Sequence, residues 1–257
     1  MPHNANVLAD DPILAPLLAA ATADPEIEGL ILSGSRGAGV GDAESDYDLE
    51  LVLTDEAYAR RAERGEQMHL SWDPNHPLLD VSYTCLRKLA QIAAEASWPL
   101  PGYATARILY DRAGRVTQAL HDMVTIPEER AYAEVLSWFD AYINAFYRSM
   151  KAWRRGNTLG GQLQAAASAM HLVCVLFAIE RRWPPYHDRL IHQLDTLTSQ
   201  GWPPGYLHDA LLRLVQTGDP TFQQELEARV EALLRARGFE VNLWEGEIDR
   251  VKAFRFD

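Results

Sequence analysis

Hydrophobic and polar positions in the first half of the chain keep changing period, which predicts short strands and helices in alternation. Ile27 to Leu32 is an apolar run of strand length and reads as a buried strand. It breaks at Ser33-Gly34-Ser35-Arg36-Gly37-Ala38-Gly39, where small residues leave the backbone almost bare. After a polar loop, Ser45 to Leu53 alternates polar and apolar, the signature of a half-buried strand, and Leu78 to Cys85 does the same. Asp11-Pro12 reads as a helix start, with Ile13, Leu14, Leu17 and Leu18 on one face and Asp24-Pro25 as the stop. The stretch from Glu56 to Gly65 reads as a short charged helix. His69 to His76 reads as loop, Leu86 to Ala96 as helix and Trp98 to Gly102 as a rigid loop. Tyr103 to Tyr110 reads as a strand and Val116 to Met123 as a helix.

From Pro127 onward strand signals vanish. Ala131, Val135, Trp138, Tyr142, Phe146, Met150 and Trp153 recur at three- and four-residue steps, predicting one long amphipathic helix closed by Gly156-Asn157. Leu163, Ala166, Ala167, Met170, Cys174 and Phe177 predict the apolar face of a second helix. Leu190, Leu194 and Leu197 mark a third, Tyr206 to Gln216 a fourth, and Asp219-Pro220 to Gly238 a fifth. The expected organisation is α+β: a small mixed sheet with flanking helices over residues 1–126, then an all-α bundle over 127–257.

Charge narrows the partners. The 24 basic and 36 acidic residues leave a formal charge of −12, a field that repels nucleic acid and suits a cationic ligand. The only two cysteines, Cys85 and Cys174, sit far apart in apolar patterns and read as reduced, buried thiols. The N-terminal residues lack the features of a signal peptide, and no uninterrupted apolar run reaches membrane length, so a cytoplasmic protein without a membrane partner is expected.

The candidate chemistry lies on the alternating strand. Side chains two apart share a face, so Asp46, Asp48 and Glu50 point one way and Tyr47, Leu49 and Leu51 the other. Two aspartates about 7 Å apart along a strand can both reach one Mg²⁺ or span a pair of such ions. Asp80 shares a face with Ser82 and Thr84 on the next strand. Taken singly, each of these is ordinary strand polarity in contact with water. Their order (strand, Gly-Ser turn, spacer, acidic strand) is what singles them out.

Gly34-Ser35 followed by Asp46-Tyr47-Asp48-Leu49 resembles the signature of the DNA polymerase β-type nucleotidyltransferase superfamily. With a helical half behind it, the chain looks like the aminoglycoside and lincosamide adenylyltransferases of antibiotic resistance. The resemblance implies a nucleotidyltransferase sheet in the first half, with the bundle closing the active-site cleft. It implies that Asp46, Asp48 and Asp80 are the catalytic residues and the ligands of Mg²⁺, in two ions. Ser33, Gly34, Ser35 and Arg36 of the turn would hold ATP or another NTP, with Lys151 as a cation near the triphosphate. The implied reaction moves a nucleoside monophosphate onto a hydroxyl of a small-molecule acceptor. Two alternatives stay open: transfer to a protein or an RNA end, and a non-catalytic, antitoxin-like module. Ser33 is a mild departure, since the family often carries an apolar residue before the Gly-Ser pair.

Overall fold

A computed structural model of the chain describes residues 11–66, 68–73, 76–95, 100–241, 244 and 246–256. The chain divides after Thr125 into two compact units. Ile126, expected as the last residue of the first unit, belongs to the second. Its side chain is buried in the helical core, and its N–H donates to the Arg181 carbonyl at 2.8 Å.

The first unit runs α1 (Leu14–Ala23), β1 (Ile27–Leu32), α2 (Gly34–Ala38), β2 (Tyr47–Leu53), α3 (Asp55–Glu63), β3 (His69–Asp73) and β4 (His76–Cys85). It continues through α4 (Leu86–Glu95), α5 (Leu100–Tyr103), β5 (Arg107–Asp111) and α6 (Arg115–Val124). Helix α1 begins later than Asp11-Pro12 suggests, yet Asp11 still caps it: Oδ1 accepts from the N–H groups of Ile13 and Leu14 at 2.9 and 3.1 Å. Five strands form one sheet in the order β3-β4-β2-β1-β5. Strand β1 is antiparallel to β2 and β5, β3 is antiparallel to β4, and β2 runs parallel to β4. A parallel pair needs a crossover, and α3 with β3 provides its length. Every residue of β1 is buried, which puts this apolar run at the centre of the sheet.

The alternation in β2 divides the sheet's two faces. Tyr47 and Leu49 join Leu14, Leu30, Leu32 and Val81 in a core under α1. Fully burying such a side chain contributes ~1.5–3 kcal/mol, so this face holds the unit together. The opposite face carries the acidic residues.

Several local expectations are corrected. Residues 69–73 and 76–85 form an antiparallel hairpin where the first segment reads as loop. Tyr103 belongs to the single-turn helix α5, and strand β5 starts only at Arg107. Of the proposed loop at 98–102, residues 98 and 99 lie outside the described residues.

The second unit contains α7 (Glu128–Arg154), α8 (Thr158–Ile179), α9 (Ile191–Leu194), α10 (Tyr206–Thr217), α11 (Pro220–Ala236) and α12 (Glu247–Lys252). Phe139, Tyr142 and Phe146 of α7 pack with Leu172, Leu176 and Phe177 of α8 in its core. The third predicted helix is broken into α9 and two 3₁₀ turns, His187–Arg189 and Thr198–Gln200. Helix α12 has no counterpart in the periodicity. The buried face of α8 is the predicted one only in part: Phe177 is buried. Leu163 and Met170 are 61% and 54% exposed, while Ala165, Ala169, Leu172 and Val173 are buried. An apolar helix with small residues all round gives periodicity little contrast to read. By length and composition α8 is apolar enough to cross a membrane, though Gln162, Gln164, Ser168 and His171 interrupt its apolar run, and half of its most apolar window is buried inside the protein. Cys85 is buried and Cys174 only partly so; both are free thiols.

Candidate active site

Strand register places the first two candidate carboxylates. Asp48 on β2 pairs directly with Asp80 on β4, and Glu50 and Val52 pair with Ser82 and Thr84. Neighbouring strands lie about 4.8 Å apart, and residues in register project to the same face. Asp48 and Asp80 therefore stand side by side, with Glu50, Ser82 and Thr84 continuing a polar stripe along the sheet. Both aspartates are half-buried.

The Gly-Ser segment reaches the same point from β1. Ser33 ends the strand in extended conformation, and its N–H donates to the Asp48 carbonyl at 2.9 Å. Gly34 then takes a φ of +65°, the left-handed region that favours glycine. A Cβ at Gly34 would lie 1.7 Å from Asp48 Oδ2, so the bare Cα rests directly against that carboxylate. Gly37 is required for a different reason. A Cβ there would come 2.4 Å from the Leu32 carbonyl oxygen, so only glycine lets the one-and-a-half turns of α2 fold back onto the end of β1. What reads in sequence as a turn is thus a turn running into a short helix.

Asp46 is placed differently. It is exposed and stands one residue ahead of β2, outside the strand pairing. The loop that carries it is held by Arg36, whose Nε donates to the Ser45 carbonyl and Nη2 to the Asp42 carbonyl, each at 2.9 Å. The guanidinium also lies 4.0 Å from the centre of the Tyr47 ring. Arg36, expected on the nucleotide, is here engaged with this loop.

No group of three or more His, Cys, Asp or Glu close enough to hold a metal occurs among the described residues. The three-aspartate cluster that the family resemblance implies is therefore assembled only in part. Register joins Asp48 and Asp80, while Asp46 sits on a loop that pairing does not constrain. Lys151 belongs to the helical unit, near the end of α7.

The structure adds two residues to this face. Glu50 is half-buried and accepts a hydrogen bond from the Tyr103 hydroxyl at 2.8 Å. Burial pushes the Glu50 carboxyl above the usual carboxylate range, with the Tyr103 hydroxyl opposing and the Asp48 charge adding to the rise. Both residues line an open cleft of about 410 Å³ with Ser82, Thr84 and, from α4, Lys88 and Gln91. Alternation puts Glu50 on the Asp48 face and could have flagged it. Tyr103 carried no such signal, because its segment reads as a strand.

A family model described as a domain of unknown function (DUF4037) matches residues 100–189, which begin at α5 in the sheet unit and continue into the helical unit. No curated protein matches the chain. A solved structure of a nucleotidyltransferase-like protein from Exiguobacterium sibiricum 255-15 is similar at 14% identity, with a TM-score of 0.44 over 87% of this chain and 73% of that one.

Proposed function

We propose that the chain transfers a nucleoside monophosphate, with AMP from ATP as the first candidate, to a hydroxyl of a small-molecule acceptor. One observation carries this reading: a bare glycine turn rests on the carboxylate of Asp48, which is itself in register with Asp80. A phosphate-sized ligand at Gly34 and Ser35 would meet backbone N–H groups and the Ser35 hydroxyl on one side and paired carboxylates on the other. Such carboxylates repel a phosphate unless a cation lies between. Asp48, joined by Asp46 from its loop, would offer hard carboxylate oxygens of the kind that suit Mg²⁺, with Asp80 in register beside them. When bound there, the metal would neutralise phosphate charge and lower the pKa of the acceptor hydroxyl.

The chain's own groups account for the remaining steps. Ser33, Gly34 and Ser35 hold the β- and γ-phosphates, and Arg36 fixes the loop that delivers Asp46. The acceptor oxygen forms a bond to the α-phosphorus as the bond to the bridging oxygen of pyrophosphate breaks. Asp80 accepts the hydroxyl proton as general base. Positioning and charge neutralisation supply most of the acceleration in phosphoryl chemistry, so few further groups are needed. The chain's net negative charge favours a cationic acceptor such as an aminoglycoside over nucleic acid.

The test offers α-labelled ATP and Mg²⁺ with aminoglycosides, lincosamides and, separately, pooled tRNA. Label is expected on a small molecule and lost in Asp48→Asn. Label on RNA alone would overturn the acceptor class, and no transfer to any acceptor or to protein would favour the non-catalytic module.

A further inference from the structure

The helical unit contains a pocket of about 640 Å³ whose chemistry the sheet site does not use. Tyr147, Lys151 and Arg154 of the last turns of α7, with Arg155 just beyond it, form one wall; Glu247 and Arg250 of α12, with Phe254 just beyond it, form the other. Among the described residues, four cations thus face one carboxylate, in a chain whose formal charge is −12. The helix dipole accounts for Lys151 and Arg154 in the final turn of α7. The same preference accounts for Arg250 in the last turn of α12, but not for the convergence of the two helix ends on one space.

Among the described residues, Lys151 and Arg154 make their contacts with neutral groups. Lys151 Nζ donates to the Tyr147 hydroxyl at 3.1 Å and lies 4.7 Å from the centre of that ring. The Arg154 guanidinium lies 4.3 Å from the centre of the Phe254 ring. These neutral partners orient the charged heads without cancelling them. Among the described residues, none of the four cations forms an ion pair with a carboxylate. Like charges held together repel, and a bound polyanion relieves that repulsion. Guanidinium forks match phosphate oxygens two at a time, and a lysine adds a point charge. The volume falls in the range of small-molecule sites.

We propose that this pocket binds a small molecule carrying two or more linked phosphate groups. The inference rests on helical-unit residues alone, among them Lys151, which the family resemblance implies near the triphosphate.

The test is a calorimetric titration of the full-length protein with inorganic tripolyphosphate and, separately, ATP, both in EDTA. Tripolyphosphate is expected to bind wild type and Asp48→Asn alike, and to weaken at least about tenfold in Lys151→Gln and Arg250→Gln, the loss of one charge-assisted contact each. Arg155→Gln, at an exposed position, is expected to weaken binding in the same direction, and thermal melting checks that each variant folds. Affinity should fall with salt. Equal binding of both ligands would mean that the pocket reads phosphate alone; tighter ATP binding that Arg250→Gln abolishes would identify a nucleotide. Two results would overturn the proposal: no metal-free binding, or binding that the pocket variants leave intact. Binding lost in Asp48→Asn but kept in Arg250→Gln would place the anion on the sheet and also reject it, leaving the transferase reading standing.

Discussion

Gly34 and Asp48 touch across the space between α2 and β2: any side chain at Gly34 would enter the Asp48 carboxylate. Replacing this glycine therefore tests the site without removing a single functional group. In Gly34→Ala, the left-handed backbone costs about 1–2 kcal/mol, and the methyl must displace the carboxylate. Turnover is expected to fall by at least about a hundred-fold, equivalent to ~3 kcal/mol of transition-state stabilisation, with only a modest drop in melting temperature. Steady-state kinetics beside a thermal melt separate the two effects. Full activity would show that the turn and Asp48 do not act together.

The register pair Asp48–Asp80 gives two variants with different signatures. Asp80→Asn removes the proposed general base and should lower turnover about 10²–10⁴-fold while nucleotide binding persists. Asp48→Asn should abolish turnover and also weaken Mg²⁺-dependent nucleotide binding. Like charges opposite one another on adjacent strands destabilise, so either substitution should leave melting unchanged or raise it. A large fall in melting temperature would mean that these carboxylates hold the fold rather than the reaction.

Tyr103→Phe leaves the Glu50 carboxylate without its 2.8 Å hydrogen bond. A buried acceptor that loses its partner costs ~1–3 kcal/mol, and chemical denaturation should report a loss in that range. Glu50→Gln can still accept from Tyr103 and should be tolerated better. Equal stability of wild type and Tyr103→Phe would show that the bond contributes nothing.

Glu227 gives the helical unit a pH dependence. It is 1% exposed, with Lys252 Nζ 2.9 Å from Oε2. Burial pushes its carboxyl up to about 7 even so, against an ordinary 4.5, with the Lys252 ammonium opposing the rise. The folded state then keeps a proton that the unfolded chain releases. Stability from this group is full below about pH 4.5 and is lost as pH climbs through about 7, at ~1.4 kcal/mol for each pH unit between those two values. Glu227→Gln should flatten that part of the melting profile. An unchanged slope between pH 5 and about 8 would mean that the buried carboxyl does not titrate there.

The sequence by itself determined those parts of the protein whose signals are local. The β1 run, the bare Gly-Ser segment and the alternation of β2 lie within about thirty residues, and period and composition suffice to order them. The same holds for α7, whose apolar positions recur over about six turns. Where local contrast was weak, reading failed: α8 is apolar on most sides, so its buried face was found only in part, and β3 resembled a loop. Tertiary structure decided what depends on distant segments meeting. The pairing of Asp48 with Asp80 is a parallel register set by packing on the far face of the sheet. The bond from Tyr103 to Glu50 joins a single-turn helix to a central strand, and Arg250 reaches the pocket of Lys151 from a helix that periodicity did not show. Side-chain period states which way a residue points on its own element; only the packing of elements states what it points at.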